Sequence, residues 1–530
     1  MIPKQIQGLI QAHRKNRDRK TFAKSLRHVT VSKVATLAGS TYETVRNSVE
    51  LEQDHLLRRR AIRRIISRMK ALKNGKPVDI AEDLIRELIW AKYTRKDPIP
   101  EIYIERVGKS IYKYQVLIAR FQNTFHRKPS PTHASDLYDI LSFEIERILS
   151  PYFIHDSLAN IQYSNLVHLN LVRDSKLAEK YTSIQTYINV HKTINKFDSA
   201  IIKYYMFSNA FPFWAKPNGQ QMDTVVERFE GVLSDINKHL EYKIKNKQYK
   251  EFIRQSIPLK ILNNTIAGNL DNAEAILDSK QKRDKYILET CSREYSAIRK
   301  KIRVTMVKTI VYLFITKMGL AFLIEVPYEL WAHGGIDNYV PLLINVLFPP
   351  VLMAIIASSF RIPAKRNNEA ILQVVDRLMD PARLQYKNDG MARTRKRPFL
   401  FFMFKVFSNV LFFIVIGLIT FVLREYLRFS YISIAIFVLF LSLISFGALK
   451  TRNIATELVI VPIRGSIFTP MIDTIASPIL SLGKQLSEGV AKFSPIPAFF
   501  DKLLETPFKS FLMVFEEWNS YVREQREEIV

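Results

Sequence analysis

The chain has little cysteine and, for its size, few acidic residues. Its 530 residues include one cysteine, Cys291, which excludes an intramolecular disulfide and a thiolate metal cluster. Acidic residues number 50 against 78 lysines and arginines, and the net charge is +28. A chain without disulfides suits a reducing compartment. The basic excess predicts an anionic partner, either membrane lipid or nucleic acid.

The common sequence motifs of catalysis are missing as well. There is no Gly-rich phosphate loop ending in Lys-Ser or Lys-Thr, and HExxH, GxSxG and GxGxxG do not occur. The ten histidines are scattered, with no pair at the spacing of metal ligands. We therefore expect no enzymatic activity, no cofactor and no dedicated metal site.

Long apolar runs are present, and they organise the C-terminal half. Four segments comprise residues 304–324, 339–358, 399–423 and 429–449, and the last contains no charged residue. A hydrocarbon core of roughly 30 Å is crossed by about 20 apolar helical residues, which each segment provides. The patterns predict an all-α integral membrane protein with four transmembrane helices and a large N-terminal helical cytoplasmic domain.

The distribution of lysine and arginine predicts the orientation of these helices. Arg299, Lys300, Lys301 and Arg303 precede the first segment, whereas the loop between the first two segments has no lysine or arginine. The loop 359–398 is again strongly basic. By the positive-inside rule both termini are cytoplasmic. The richness in Lys, Ile and Phe indicates a bacterial source, so we expect the inner (plasma) membrane of a bacterium.

Composition divides the chain into four regions. Residues 1–75 form a basic helical N-terminal region, and 76–303 a helical cytoplasmic domain. Residues 304–449 form the transmembrane domain, and 450–530 an amphipathic tail that is partly membrane-associated. A run without Gly or Pro from Asn272 to Gly319 predicts a helical rod of roughly 70 Å that enters the membrane without a joint.

An arginine-rich helix is the first candidate binding site. Leu56, Ile62 and Met69 share one apolar face between about residues 49 and 72, and arginines occupy the opposite face. Such a face is solvated, or it binds lipid head groups or a phosphate backbone. The candidate residues for binding an anionic surface are Arg58, Arg59, Arg60, Arg63, Arg64 and Arg68.

The stretch VSKVATLAGSTYETVRNSVE, residues 31–50, resembles the helix-turn-helix of the lac-repressor type. Ala35 stands at the small position between the helices and Gly39 at the turn. Val34, Ala38 and Val45 stand at core positions, while Ser40 and Ser48 depart from the usual aliphatic residues. The resemblance implies DNA binding, with Thr41, Tyr42, Glu43 and Arg46 facing the major groove.

Polar residues and prolines inside the apolar segments form a second candidate site. Such groups are costly in hydrocarbon and often mark a solute path, although lysine can extend to the head groups and Asn or Pro can serve helix packing or bending. Prolines also free backbone carbonyls that could coordinate an ion. The candidate residues are Lys317, Asn345, Pro349, Pro350, Lys405 and Asn409.

The favoured functional prediction is a membrane-tethered helical scaffold or assembly factor, because most of the mass is helical surface. Its expected partners are anionic membrane lipids and other proteins, or further copies of the chain. One alternative is an ion or small-solute channel or transporter through the four segments. Another is a membrane-anchored DNA-binding protein that uses the N-terminal region.

Overall fold

The fold is all-helical, as predicted from the sequence. The computed structural model describes residues 2–333 except 33–35, 38, 42, 44–53, 70–74, 95–97, 170–178 and 243–245. It also describes parts of 343–352, 364–380, 398–461 except 456, and positions 511, 514 and 518. Within these residues there is no β-strand. Two compact units are present: unit 1 is Met1–Ser279 with Leu378–Asp380 and Ile496–Val530, and unit 2 is Lys280–Arg377 with Pro381–Pro495.

Unit 1 contains eleven named helices in the part of the chain that is described. They are α1 Lys4–Ser25, α2 Asp54–Arg68, α3 Pro77–Trp90, α4 Ile102–Phe125, α5 Pro131–Leu149, α6 Phe153–His168, α7 Glu179–Ile194, α8 Ser199–Ala210, α9 Gly219–Glu241, α10 Asn246–Gly268 and α11 Ala273–Asp278. Helices α2, α3, α4, α5 and α9 surround the largest apolar core. Helices α1, α6, α7 and α10 pack against one another beside it.

The core helices follow from apolar spacing and clear start signals. In α3, Pro77 occupies the first turn and Asp79 adds a favourable negative charge there. Ile80, Leu84 and Leu88 recur at helical spacing and are buried. This single apolar face packs against α4, so α3 is amphipathic in the way its sequence predicts.

Helix α5 begins earlier than its sequence pattern suggests. The sequence pattern, in which Ser135 precedes the apolar positions Leu137 and Ile140, predicts Ser135 as the N-terminal cap. The helix instead starts at Pro131, and the side chain of Ser130 accepts the backbone N–H of His133. Proline is favoured at the first helical position and serine immediately before it, which explains the start. The added turn places Ser135 on α5 opposite α2.

Unit 2 contains the longest helix. Its elements are α12 Lys280–Leu320, a π-helical turn Ala321–Glu325, α13 Val326–His333, α14 Ala364–Met379, α15 Pro398–Glu425 and α16 Tyr431–Ala455. The predicted rod from Asn272 is wrong, because Ser279 is extended and separates α11 from α12. Asp278 and Ser279 are residue types that favour a helix start, which the prediction overlooked. At 41 residues, α12 is about 60 Å long.

One helix among the described residues, Lys280–Tyr328, is long and apolar enough to cross a membrane. In its most apolar stretch of 18 residues, 8 % of the stretch is buried. A shorter apolar helix spans Tyr431–Ser442. Segments 399–423 and 429–449 are helical, as α15 and α16. Most of segment 339–358 lies outside the described residues.

Candidate functional site

The arginine-rich helix α2 runs antiparallel to α5, and the two helices form a ladder of ion pairs. Arg58 donates from Nε and Nη2 to the two carboxylate oxygens of Glu146, at 2.7 and 2.5 Å. Arg63 donates to Asp139 at 2.7 Å and to Ser135 at 2.8 Å. The acceptors on α5 recur at helical spacing, so a polar stripe of α5 faces the arginines. Bidentate arginine–carboxylate pairs are among the strongest hydrogen bonds in proteins.

The other paired arginines of α2 reach carboxylates outside α5. Two of the partners, Glu43 and Glu87, are each 2 % exposed, and Arg59 is 4 % exposed. These pairs are Arg59 with Asp198 at 2.6 Å, Arg64 with Glu43 at 2.7 Å, and Arg68 with Glu87. Arg60 is half-buried on the same helix.

These pairs bear on the prediction that α2 binds an anionic surface. Five of its six candidate arginines already have a carboxylate partner within unit 1. An external phosphate would have to displace a carboxylate from each of them, leaving a buried negative charge behind. Binding of lipid or DNA by α2 stays a prediction, while the geometry supports a role in joining helices.

The residues of the helix-turn-helix resemblance are described only in part. Gly39 lies in helical backbone close to Trp90, where an added Cβ would approach the Trp90 Cβ to 3.2 Å. Glu43 is buried, and the hydroxyl of Tyr93 donates to it at 2.8 Å. Thr41 is exposed. Of the remaining residues quoted for the resemblance, Ser40 is buried, whereas Val34, Ala35, Ala38, Tyr42, Val45, Arg46 and Ser48 lie outside the described residues. DNA binding by this stretch stays a prediction.

A second buried carboxylate, Glu144, joins α4, α5 and the loop after α8. Its oxygens accept hydrogen bonds from Ser110 at 2.8 Å, Lys113 at 2.6 Å and Tyr114 at 3.0 Å. The indole of Trp214 also donates to it, at 3.2 Å. Burial, more than the neighbouring charge of Glu144, raises the pKa of Tyr114. The apolar spacing along α5 predicts that Glu144 and Glu146 face outward, which is wrong, because both are buried against cations.

Aromatic rings around His191 form a third buried cluster. The imidazole stacks on Phe197 with 5.5 Å between ring centroids and on Tyr205 with 4.8 Å. The hydroxyl of Tyr205 donates to Asp156 at 2.5 Å. Burial, with a smaller contribution from the neighbouring His155, lowers the pKa of His191 to about 4. The ring is therefore neutral at physiological pH and acts as an aromatic core residue.

We expect the stability of unit 1 to decline as the pH falls from about 6.5 to about 4. The unfolded chain binds a proton on His191 below pH 6.5, whereas the folded chain resists it until about pH 4. This difference between the pKa of His191 in the unfolded and in the folded chain corresponds to about 3 kcal/mol of the free energy of unfolding. The measurement is urea unfolding of the detergent-solubilised protein across this pH range, beside His191→Phe. The Phe variant should lose this part of the pH dependence, and identical slopes would contradict the prediction.

The apolar helices of unit 2 hold the intramembrane candidates. Lys317 on α12 is fully buried, and its Nζ lies 4.6 Å from the centroid of the Phe440 ring on α16. A lysine over an aromatic face is stabilised by a cation–π interaction. Lys405 and Asn409 belong to α15, but their side chains lie outside the described residues. Three candidates lie wholly outside the described residues: Asn345, Pro349 and Pro350.

A residue that the sequence did not point to, Asn367, joins three segments of unit 2. Its Nδ2 donates to the hydroxyl of Tyr295 and to the carbonyl of Leu458, both at 2.7 Å. Its Oδ1 accepts the backbone N–H of Ile460 at 2.7 Å. The side chain is fully buried, and its hydrogen bonds connect α14 with α12 and with Leu458 and Ile460, which follow the end of α16. More than two turns further along the same two helices, Arg283 of α12 pairs with Asp376 of α14.

The chain is thus an all-helical protein with ion-paired helices in unit 1 and a long exposed apolar helix in unit 2. Comparisons with known protein families, with curated proteins and with solved structures give no match. The functional argument therefore depends on the residues and contacts described above.

Proposed function

We propose that the protein is a membrane-tethered helical scaffold or assembly factor with four transmembrane helices. The observation that carries the proposal is the exposure of the apolar half of α12. Val307 is 56 % exposed, Val311 50 % and Ile315 64 %, on a stretch with few charges. Apolar side chains in this number are not left in water by a stable protein, whereas a bilayer covers them at no cost.

Helix α15 supports the same proposal. It is 28 residues long, enough to cross a bilayer, and Phe407, Phe413 and Leu418 are each at least 59 % exposed. With α16 and the segment 339–358 it would complete the four spans in a bacterial inner membrane, both termini being cytoplasmic. Unit 1 would then present its helices to protein partners or to a second copy of the chain.

Cysteine labelling tests the membrane part of this proposal. Gly334→Cys and Asn388→Cys, each in a Cys291→Ser background, are treated with a membrane-impermeant thiol reagent on intact cells. Position 334 should react and position 388 should not, because the proposal places them on opposite sides of the membrane. Reaction at both positions, or the reverse pattern, would contradict four spans. Lysed cells, in which both should react, provide the control.

A path for an ion or small solute is the second candidate, and the burial of Lys317 favours it. An ionisable side chain inside apolar helices marks such paths more often than it serves stability alone. Its position over Phe440 also fits a purely structural cation–π contact. The scaffold is preferred because this contact gives the lysine a structural role.

Two substitutions at Lys317 separate these candidates. For a structural lysine, Lys317→Met and Lys317→Arg should both support growth of a deletion strain. Methionine removes a charge from hydrocarbon and so relieves a penalty, and arginine keeps a cation that can lie over Phe440. Membrane levels are compared by immunoblot. Rescue by Arg but not by Met, at equal levels, would favour the path. Flux measured in proteoliposomes then provides a direct check.

A further inference from the structure

Helix α1 lies on the outside of unit 1 with a basic outer face. Its sequence contains seven lysines and arginines and one aspartate, Asp18. Its inner face is anchored by buried Ile6, Leu9 and Ile10. Two ion pairs at 2.9 and 2.6 Å hold it further: Arg14 with Glu274 and Arg17 with Asp271. The helix is therefore a fixed part of unit 1, and its outer face is preformed.

A shallow, wide-open depression of about 550 Å³ follows this outer face. It is lined by Gln11, Arg14, Lys15, Asp18, Arg19 and Phe22. Phe22 is 64 % exposed, so the described residues of unit 1 leave most of this aromatic ring uncovered. A cationic depression with a protruding aromatic ring is the composition of interfacial membrane-binding helices.

The start of α4 extends this surface. The backbone N–H of Glu101 donates to the carbonyl of Arg27 at 3.0 Å, which joins the end of α1 to α4. Arg19 and Arg106 both lie over the ring of Tyr103, at 5.2 and 5.4 Å from its centroid. Ile102, beside them, is 47 % exposed. Cations and exposed apolar side chains thus lie together from α1 to the start of α4, where the two acids are paired, Glu101 with Arg27 and Glu105 with Lys109.

We propose that this surface, formed by Lys15, Phe22, Ile102 and Arg106 and called here the α1 surface, docks on anionic phospholipid head groups. The proposal deepens the proposed function, on which it rests, by naming the part of unit 1 that contacts the bilayer. Lysine and arginine would bind the phosphates while Phe22 and Ile102 enter the boundary between head groups and acyl chains. Asp18 is the one acid in the sequence of α1, and it lies 3.7 Å from Arg17.

Two contrasts favour lipid as the occupant. Five arginines of α2 are paired with carboxylates of unit 1. The side chain of Lys15 is exposed, and its Nζ lies over the ring of Phe153, 4.3 Å from the centroid. The acidic C-terminal segment is the competing occupant within the chain. Its apolar side chains Phe511 and Trp518 are 66 % and 59 % exposed, so most of their surface is not covered by α1.

The test uses the full chain in lipid nanodiscs. An environment-sensitive fluorophore is attached through Thr21→Cys, beside Phe22, in a Cys291→Ser background. We expect a blue shift in discs of phosphatidylcholine with phosphatidylglycerol, reversed by salt, and none in discs of phosphatidylcholine alone. A label on α9 through Thr224→Cys, which is equally exposed, should not respond.

Neutralising variants show which residues make the contact. Lys15→Gln with Arg106→Gln should weaken docking by about fivefold for each cation removed. The matched control, Lys216→Gln with Lys238→Gln, removes two exposed cations elsewhere in unit 1 and should leave docking unchanged. Equal melting temperatures of all variants would show that folding is intact.

Other outcomes overturn the inference. An identical signal in both lipids would do so, as would a response to a DNA duplex added to phosphatidylcholine discs. A signal that disappears on deletion of residues 499–530, whatever the lipid, would assign the depression to the C-terminal segment. Resistance of the protein to carbonate extraction is measured in parallel. Failure there would contradict the proposed membrane anchoring itself, which separates the two claims.

Discussion

Replacing Arg58 with methionine is expected to lower the free energy of unfolding of unit 1 by about 3–5 kcal/mol. The guanidinium binds both oxygens of Glu146, which is fully buried. Its removal leaves that carboxylate without its bidentate partner in a region from which water is excluded. Methionine keeps an unbranched apolar side chain, so the loss of stability reflects the missing charge more than lost packing.

Thermal unfolding in detergent measures this loss, with the fluorescence of the buried Trp90 and Trp214 as the signal. A fall in Tm of roughly 10 °C is expected for a body of this size. The control is Arg86→Met, whose pair with Glu82 is partly exposed and should contribute less than about 1 kcal/mol. A double change, Arg58→Met with Glu146→Leu, should recover most of the stability. A Tm shift no larger than that of the control would contradict the buried pair.

The cost of Arg58→Met should also depend on pH. Burial raises the pKa of Glu146 even with Arg58 beside it, and without Arg58 the pKa should rise further. The folded variant then holds a proton where the unfolded chain does not, so its stability falls as the pH rises. The difference in Tm between wild type and variant should therefore be larger at pH 8 than at pH 5. The opposite trend would show that the carboxylate is solvated.

In unit 2 the largest effect is expected from Asn367→Leu. Leucine fills a similar volume but leaves the carbonyl of Leu458 and the N–H of Ile460 without the hydrogen bonds that Asn367 provides. Each buried group so deprived costs about 1–3 kcal/mol. A total near 3 kcal/mol corresponds to on the order of a 100-fold change in the equilibrium for local opening.

The single cysteine reports this opening under native conditions. Cys291 is buried on α12 one turn before Tyr295, the third partner of Asn367. Its rate of reaction with a small thiol reagent should rise on the order of 100-fold in the Asn367→Leu protein, because labelling requires local opening. Glu369→Leu, at an exposed position of the same helix, should leave the rate unchanged. Equal rates in both variants would show that Asn367 does not hold these segments together.

Helix positions were predictable where apolar spacing and capping residues agree, and less so where they compete. Helix α3 follows its sequence pattern closely, because Pro77, Asp79 and a single apolar face all indicate the same element. The predicted start of helix α5 was too late, because Ser135 satisfies the cap pattern as well as Ser130 does. The break at Ser279 was missed because Gly and Pro were taken as the signals of a joint, although serine can adopt the extended conformation equally well.

The candidate sites were less predictable, because charge pairing is a property of two helices at once. A run of arginines on α2 shows a basic face, but not that α5 supplies Asp139 and Glu146 opposite it. The spacing of these acids on α5 was the available signal, but Glu146, like Glu144, was assigned to the solvent side because the neighbouring positions are apolar. Asn367 carried no signal, since one asparagine in an amphipathic helix is ordinary. Lys317 was detectable because a charge in a long apolar run is rare.

The ion-paired interior of unit 1 affects the solubility of the protein and its non-specific binding. The carboxylates of Glu43, Glu87 and Glu146 lie beneath the surface, so the solvent meets fewer acids than the composition suggests. Each buried pair is neutral as a unit, and the whole surplus of +28 remains outside it. The charged side chains that remain exposed are therefore more uniformly positive than the composition of the whole sequence indicates. Such a particle repels its own copies and adsorbs to polyanions, so salt concentration should govern both its solubility and what adheres to it.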